Sequence, residues 1–445
     1  MMAYRNAPIH PVLKFIYALL RFTARVGMTF FYRKRLILGR GYTRFDGPAI
    51  VVSNHPNTLM DPLNVGIQIR QEMFFLANYS LFKHPVSNWI FSRLFCIPVK
   101  RKEDVAEGEV RNNDAAFEAS FQHLEKNGVL YIAAEGVSWM NRYVRPFKTG
   151  TARIAFGTEN RHDWQLDVKI IPVGVSYEAP NLFRSRMYVE YGPSLDPRSW
   201  AAAYQENPEK AVADFTTHIE NTVRGLTLNS GGEEGDVWVG QVEALLRSSP
   251  PPKLHPSEQS RYFFLKSFLQ QNIDNQVFKA ETQAYFDGLS RANITDLGLA
   301  QQISSRAKRA TLSLFALLFP FFIVGYGFWF LPCFIPAWVA KRLKLYIGYE
   351  SNVKLLVGLF TFPIALWAAW KGAFALCQHA WMAWLTLMVL VGGGYLTEAM
   401  LDQAKKWRQS RAAAAYARQH PEAWARLVQQ RASLLETLQN HAYSN

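Results

Sequence analysis

Short apolar runs recur along the chain from about residue 48 to 228, separated by stretches in which apolar and polar positions follow a helical period. The runs are AIVVSN at 49, MFFLAN at 73, CIPVKR at 96, VLYIAA at 129, VKIIPVGVSY at 168 and MYVEYG at 187. Short apolar runs of this kind read as strands. The intervening segments 58–70, 110–126, 149–158 and 207–224 read as helices. Strands alternating with helices predict an α/β domain around a mostly parallel sheet. Ahead of it, residues 12–32 predict a helix on which Lys14, Arg21 and Arg25 fall in one narrow sector and the rest is mostly apolar. Such a helix lies on a membrane surface or caps the domain that follows.

Beyond 228 the pattern changes. NSGGEEG at 229 and SSPPPKLHP at 248 mark a linker, and 260–305 reads as polar helix. No residue from 310 to 340 is charged, and from 355 to 400 only Lys371 and Glu398 are. Both stretches exceed the ~18 apolar residues that mark a membrane segment. Arg306, Lys308 and Arg309 precede the first; Lys341, Arg342, Lys344 and Lys354 separate the two; Lys405, Lys406 and Arg408 follow the second. If every cluster stays on the cytoplasmic side, each stretch returns to the side it left. The second stretch holds two spans with a turn near Gln378 and His379. The first, with Pro320, Pro332 and Pro336, reads as a re-entrant hairpin, against a competing single span over 311–333. Gly392 to Gly394 suit close helix packing. The expected organisation is therefore 1–45 as an interfacial helix, 46–228 as the α/β domain, 229–309 as linker and helical region, 310–404 as transmembrane hairpins and 405–445 as a basic helical tail.

Charge narrows the partners. Forty-nine lysines and arginines against thirty-five acids give +14, and nine basic side chains against one acidic fall in the first fifty residues. An anionic leaflet satisfies that excess. Nucleic acid, the other common basic-protein partner, does not fit the long apolar segments. Three cysteines at wide spacing exclude a disulfide framework and a thiolate zinc site. No metal-ligand cluster and no nucleotide-type glycine loop is present, so no cofactor is expected.

The chemistry centres on VVSNHPNTLMDPL, which ends a strand at Ser53 and opens a helix near Asn57 or Thr58, both suited to cap it. His55 and Asp61 stand at the carboxyl end of that strand, where open α/β sheets place their sites. A carboxylate beside an imidazole fixes its tautomer and stabilises the imidazolium formed when the ring takes a proton. Six residues of straight helix would set the two side chains about 240° apart, so the pair requires a turn, which Pro56 and Asn57 can supply. Cys96, inside an apolar strand, reads as a small buried hydrophobe and not as a nucleophile.

Further blocks follow in order: CIPVKR at 96, YIAAEGVSW at 131, RPFKTGTARIAF at 145 and IIPVGVSY at 170. With the His55 block, this set resembles the glycerophospholipid acyltransferase family over about 48–195. The resemblance implies a catalytic pair, His55 and Asp61; an acceptor-phosphate arginine, here Arg101; a Glu-Gly pair, Glu135 and Gly136; and a proline in an apolar strand, Pro172. Five residues lie between His55 and Asp61, where the family's commonest spacing is four, and this is similar to the subgroup with fungal glycerol 3-phosphate acyltransferases. Ala133 and Ala134 replace the usual Phe-Pro, and no arginine closely follows Gly136; Arg145, Lys148 or Arg153 are the substitutes at hand. The implied activity is membrane-bound transfer of a fatty acyl group from acyl-CoA or acyl carrier protein to glycerol 3-phosphate, with lysophosphatidate the alternative acceptor. A lipid-binding tether with decayed blocks is the reading from another class, and the retention of both His55 and Asp61 argues against it.

Overall fold

The computed structural model describes residues 10–91, 95–101, 104, 112–252, 254–301 and 305–444, without the side chains of 86, 87, 90, 305–312, 443 and 444. The chain divides into two units, Met1–Asn229 with Tyr346–Asn352, and Ser230–Leu345 with Val353–Asn445.

In the first unit the elements follow as α1 (Pro11–Phe31), β1 (Lys34–Leu38), β2 (Ala49–Ser53), α2 (Met60–Gly66), β3 (Met73–Asn78), α3 (Pro85–Phe91), β4 (Cys96–Val99), α4 (Asp114–Leu124), β5 (Val129–Ala133), α5 (Gly150–Asn160), β6 (Lys169–Tyr177), β7 (Arg186–Tyr191), α6 (Ala201–Glu206) and α7 (Pro208–Gly225). The strands form one sheet in the order β1-β7-β6-β2-β5-β3-β4. Every neighbouring pair is parallel except β6 with β7. β2 and β6 are the buried centre: all five residues of β2, and all of β6 except Lys169, are buried. Alternate residues of adjacent strands, Ile50, Val52, Leu130, Ile132 and Ile170, point to one face and meet Phe156, Phe215, Ile219 and Val223 from α5 and α7. The Phe156 and Phe215 rings stack there at 4.9 Å. β1, with the sequence KRLIL, was not legible as a strand because its two leading cations mask a short apolar run.

α1 belongs to this unit and is not a free-standing anchor. Ala24, Gly27, Met28 and Phe31 are buried. Its cationic sector, expected to face lipid headgroups, in part faces protein: Arg21 donates to the Arg70 carbonyl and Arg25 to the Ile67 carbonyl, each at 2.8 Å. Val12, Phe15, Leu19 and Phe22 on its outer side remain exposed.

The second unit is helical: α8 (Gly235–Ser248), α9 (Glu258–Asn272), α10 (Gln276–Arg291), α11 (Asp296–Ala300), α12 (Ser305–Arg342), α13 (Glu350–Cys377), α14 (Ala380–Gln419) and α15 (Pro421–Ser444). Among the described residues, three helices are long and apolar enough to cross a membrane: Ser313–Arg342, Ile347–Cys377 and Ala380–Gln419. The first apolar stretch is therefore one continuous helix and not the expected re-entrant hairpin. Pro320, Pro332 and Pro336 lie inside it; neighbouring helices satisfy the backbone groups that proline frees, as where Thr361 donates to the Pro332 carbonyl. At 1.5 Å per residue its 38 residues are about 57 Å long. The second stretch divides into α13 and α14 at Gln378 and His379. α12 and α14 approach closely at Gly325 and Gly393, where a Cβ on Gly325 would lie 2.6 Å from the Gly393 carbonyl oxygen. The C-terminal segment is not a detached tail. α14 runs unbroken past residue 404, and α15 buries Leu427, Leu434 and Leu438. Those leucines form a stripe too narrow to be conspicuous among alanines. Arg431, also buried, donates to Asp296 at 2.7 Å and to Ser248 and Ser249.

Candidate active site

β2 is the switch point of the sheet: the chain moves from it toward β3 on one side, and β6 returns to flank it on the other. The crevice past the carboxyl ends of such strands is where open α/β sheets bind ligands. His55 leaves β2 and Glu135 leaves the adjacent β5, each two residues beyond the paired Ser53 and Ala133.

The turn at Pro56 and Asn57 folds the chain back so that His55 Nδ1 lies 2.9 Å from Asp61 Oδ2. The carboxylate is fully buried and the imidazole side chain 13% exposed. With Nδ1–H donating to the carboxylate, Nε2 keeps its lone pair. Asp61 is held on both oxygens, Oδ2 also accepting the Asn57 N–H at 2.7 Å and Oδ1 accepting the Tyr177 hydroxyl at 2.8 Å. Asn64 in turn donates to Tyr177 at 3.3 Å, and the Tyr32 ring packs 5.7 Å from that of Tyr177. Neither Asn57 nor Thr58 caps α2, contrary to expectation. Helical geometry begins at Met60, and the Asn57 amide instead donates to Pro180 O and to the Tyr32 hydroxyl. Asn54 pins the preceding residue to β6, its amide giving and taking hydrogen bonds with the Val175 backbone at 2.9 and 2.8 Å.

Glu135, 3% exposed, accepts the His55 N–H at 2.9 Å, and the Trp139 N–H donates to the His55 carbonyl at 3.3 Å. Burial pushes the Glu135 carboxyl up to about 7, against the opposing pull of the His55 N–H and charge and of Arg145. Gly136 adopts φ +72° and lies against the Lys148 stem, whose Cγ would be 3.4 Å from a Cβ there. Arg145 stacks over the Trp139 ring at 4.7 Å, and Arg142 donates to the Tyr177 and Glu178 carbonyls.

The structure thus brings His55, Asp61, Glu135, Gly136 and Lys148 together. Arg101 follows the edge strand β4, three strands from β2, a lateral offset of about 14 Å, on the same carboxyl edge of the sheet. Its N–H donates to Asp104. Pro172 is buried mid-strand in β6, opposite Val52. The backbone N–H groups of His55, Asn57 and Thr58 are engaged by Glu135, Asp61 and Ser138. Burial lifts the Cys96 thiol to about 12, which removes it as a nucleophile.

The Acyltransferase family model matches residues 34–176. Glycerol-3-phosphate O-acyltransferase 1 of Saccharomyces cerevisiae is 32% identical over 138 residues, 30% of this chain and 18% of that protein. Glycerol-3-phosphate O-acyltransferase 2 of the same yeast is 31% identical over 120 residues, 27% and 16% of the two chains. The matched region is thus under a fifth of the length of these relatives. Among solved structures, the 1-acyl-sn-glycerophosphate acyltransferase PlsC from Thermotoga maritima is similar at a TM-score of 0.36 and 18% identity, covering 48% of this chain and 78% of that one.

Proposed function

We propose, on the premise that residues 34–176 match the Acyltransferase family model, that the chain is a glycerophospholipid acyltransferase that transfers a fatty acyl group from acyl-CoA or acyl carrier protein to the hydroxyl of glycerol 3-phosphate. The observation that carries this reading is the His55–Asp61 pair at 2.9 Å, with the carboxylate anchored on both oxygens and one imidazole nitrogen free.

His55 Nε2 takes the acceptor hydroxyl proton as the oxygen attacks the thioester carbonyl. The tetrahedral intermediate collapses, the C–S bond breaks, and the thiolate leaves with the proton that the imidazolium returns. Asp61 stabilises the imidazolium between the two steps. Lys148 beside Gly136, Arg145 and Arg101 on the same sheet edge supply cations for the acceptor phosphate. Membrane lipids hold the chain through its apolar helices, and the catalytic unit works on the cytoplasmic face, where acyl thioesters are made. The yeast relatives are named for glycerol 3-phosphate, which favours that acceptor over lysophosphatidate.

Purified protein given a labelled acyl donor and a panel of phosphorylated and lyso-lipid acceptors tests the proposal. Turnover is expected with glycerol 3-phosphate. His55→Ala lowers kcat by on the order of 10²- to 10⁴-fold with both KM values unchanged, whereas Arg101→Ala raises the acceptor KM alone. No turnover with any acceptor, or near-native kcat in His55→Ala, rejects the mechanism.

A further inference from the structure

The Asn57–Thr58 turn decides whether His55 meets Asp61, and its own neighbours hold only part of it: the Asn57 N–H meets Asp61 and the Met60 N–H meets the Asn57 carbonyl. Thr58 has φ +38°, in the left-handed region that a β-branched residue rarely adopts. Such a conformation persists only where the surroundings over-determine it.

Beyond Ser138, which accepts the Thr58 N–H, the contacts to the Thr58 hydroxyl come from nearly three hundred residues away, in the short segment Tyr346–Asn352 that belongs to the catalytic unit. The Ser351 hydroxyl donates to Asn57 Oδ1 at 2.7 Å. The Thr58 hydroxyl donates to the Gly348 carbonyl at 3.0 Å and accepts a hydrogen bond from the Asn352 amide. Ser351 is fully buried and Asn352 nearly so. Both lie outside the residues matched by the family model. Asn57 is gripped at three points, by Ser351, Pro180 and Tyr32, while its N–H meets the Asp61 oxygen that His55 also uses.

We propose that Ser351 and Asn352 are positioning residues of the catalytic pair, fixing the Asn57–Thr58 turn so that Asp61 and His55 stay in register. They touch no reacting atom and act through the turn. The inference rests on the general-base role assigned to His55 for its effect on rate, but not for its effect on the turn itself.

The experiment uses the full chain in nanodiscs and compares wild type with Ser351→Ala, Asn352→Ala, the double variant and Ser351→Thr. Two readouts are taken: steady-state kinetics, and amide hydrogen exchange of the peptide spanning residues 54–63. The alanine variants are expected to lower kcat about tenfold or more, leave the KM of donor and acceptor within twofold, and speed exchange in that peptide alone. Ser351→Thr, which keeps the hydroxyl, restores kcat and slow exchange. Native exchange at 54–63 in the double variant overturns the proposal, as does faster exchange spread over the whole unit with no rescue by threonine. If the wild-type protein turns over no acceptor, the acyltransfer reading fails, and the exchange measurement still decides the clamp.

Discussion

Glu135 shows how a single residue couples the site to pH. Its carboxyl is raised to about 7 by burial, above the value near 4.5 that it has in an unfolded chain. Between those two values the folded protein binds more protons than the unfolded one, so stability is fully present below about 4.5 and falls as pH rises toward 7. Glu135→Gln keeps an oxygen to accept the His55 N–H and abolishes the titration. Thermal unfolding in detergent from pH 4.5 to 8 is expected to show that decline in the wild type and a flatter profile in the variant, with the variant more stable at pH 8. An unchanged slope removes Glu135 as its source. The His55–Asp61 pairing was legible in the sequence because it is local and needs only a turn at Pro56. Tyr177 and Ser351 were not, because each is an ordinary polar residue 116 and 294 positions from the partner it serves. No period or motif marks such a residue; only the fold brings it in.

Among elements, the buried strands announced themselves, since β2 and β6 are apolar at nearly every position. The prolines of α12 misled, because proline breaks helices in water but is tolerated where packed helices satisfy the freed backbone groups. α1 poses a different question, having one side docked on the domain and another exposing Phe15, Leu19 and Phe22. Each such side chain gains about 1.5–3 kcal/mol on leaving water, and a bilayer surface can take them all. With a fluorophore placed singly at Phe15→Cys, Phe22→Cys and Arg44→Cys in vesicles, nitroxide-labelled lipids should quench the first two strongly and the third weakly. Equal quenching at all three would show that α1 does not rest on the membrane.

At the scale of the molecule, the catalytic unit is discontinuous in sequence, Met1–Asn229 being completed by Tyr346–Asn352. A fragment ending at residue 229 contains every residue matched by the family model yet lacks the segment that holds Asn57 and Thr58. Its specific activity is expected to be at least tenfold below that of the full chain, measured on vesicle-bound protein at equal amounts; equal activity would show that the segment is dispensable.

The same discontinuity sets a clock during synthesis. Translation at about 5–20 residues per second leaves roughly 6–24 s between the emergence of Asn229 and that of Gly348, an interval in which the α/β sheet can fold while its turn at Thr58 stays unclamped. The first long apolar helix is made within that interval. The first long apolar helix therefore leaves the ribosome before the turn that sets His55 against Asp61 is clamped.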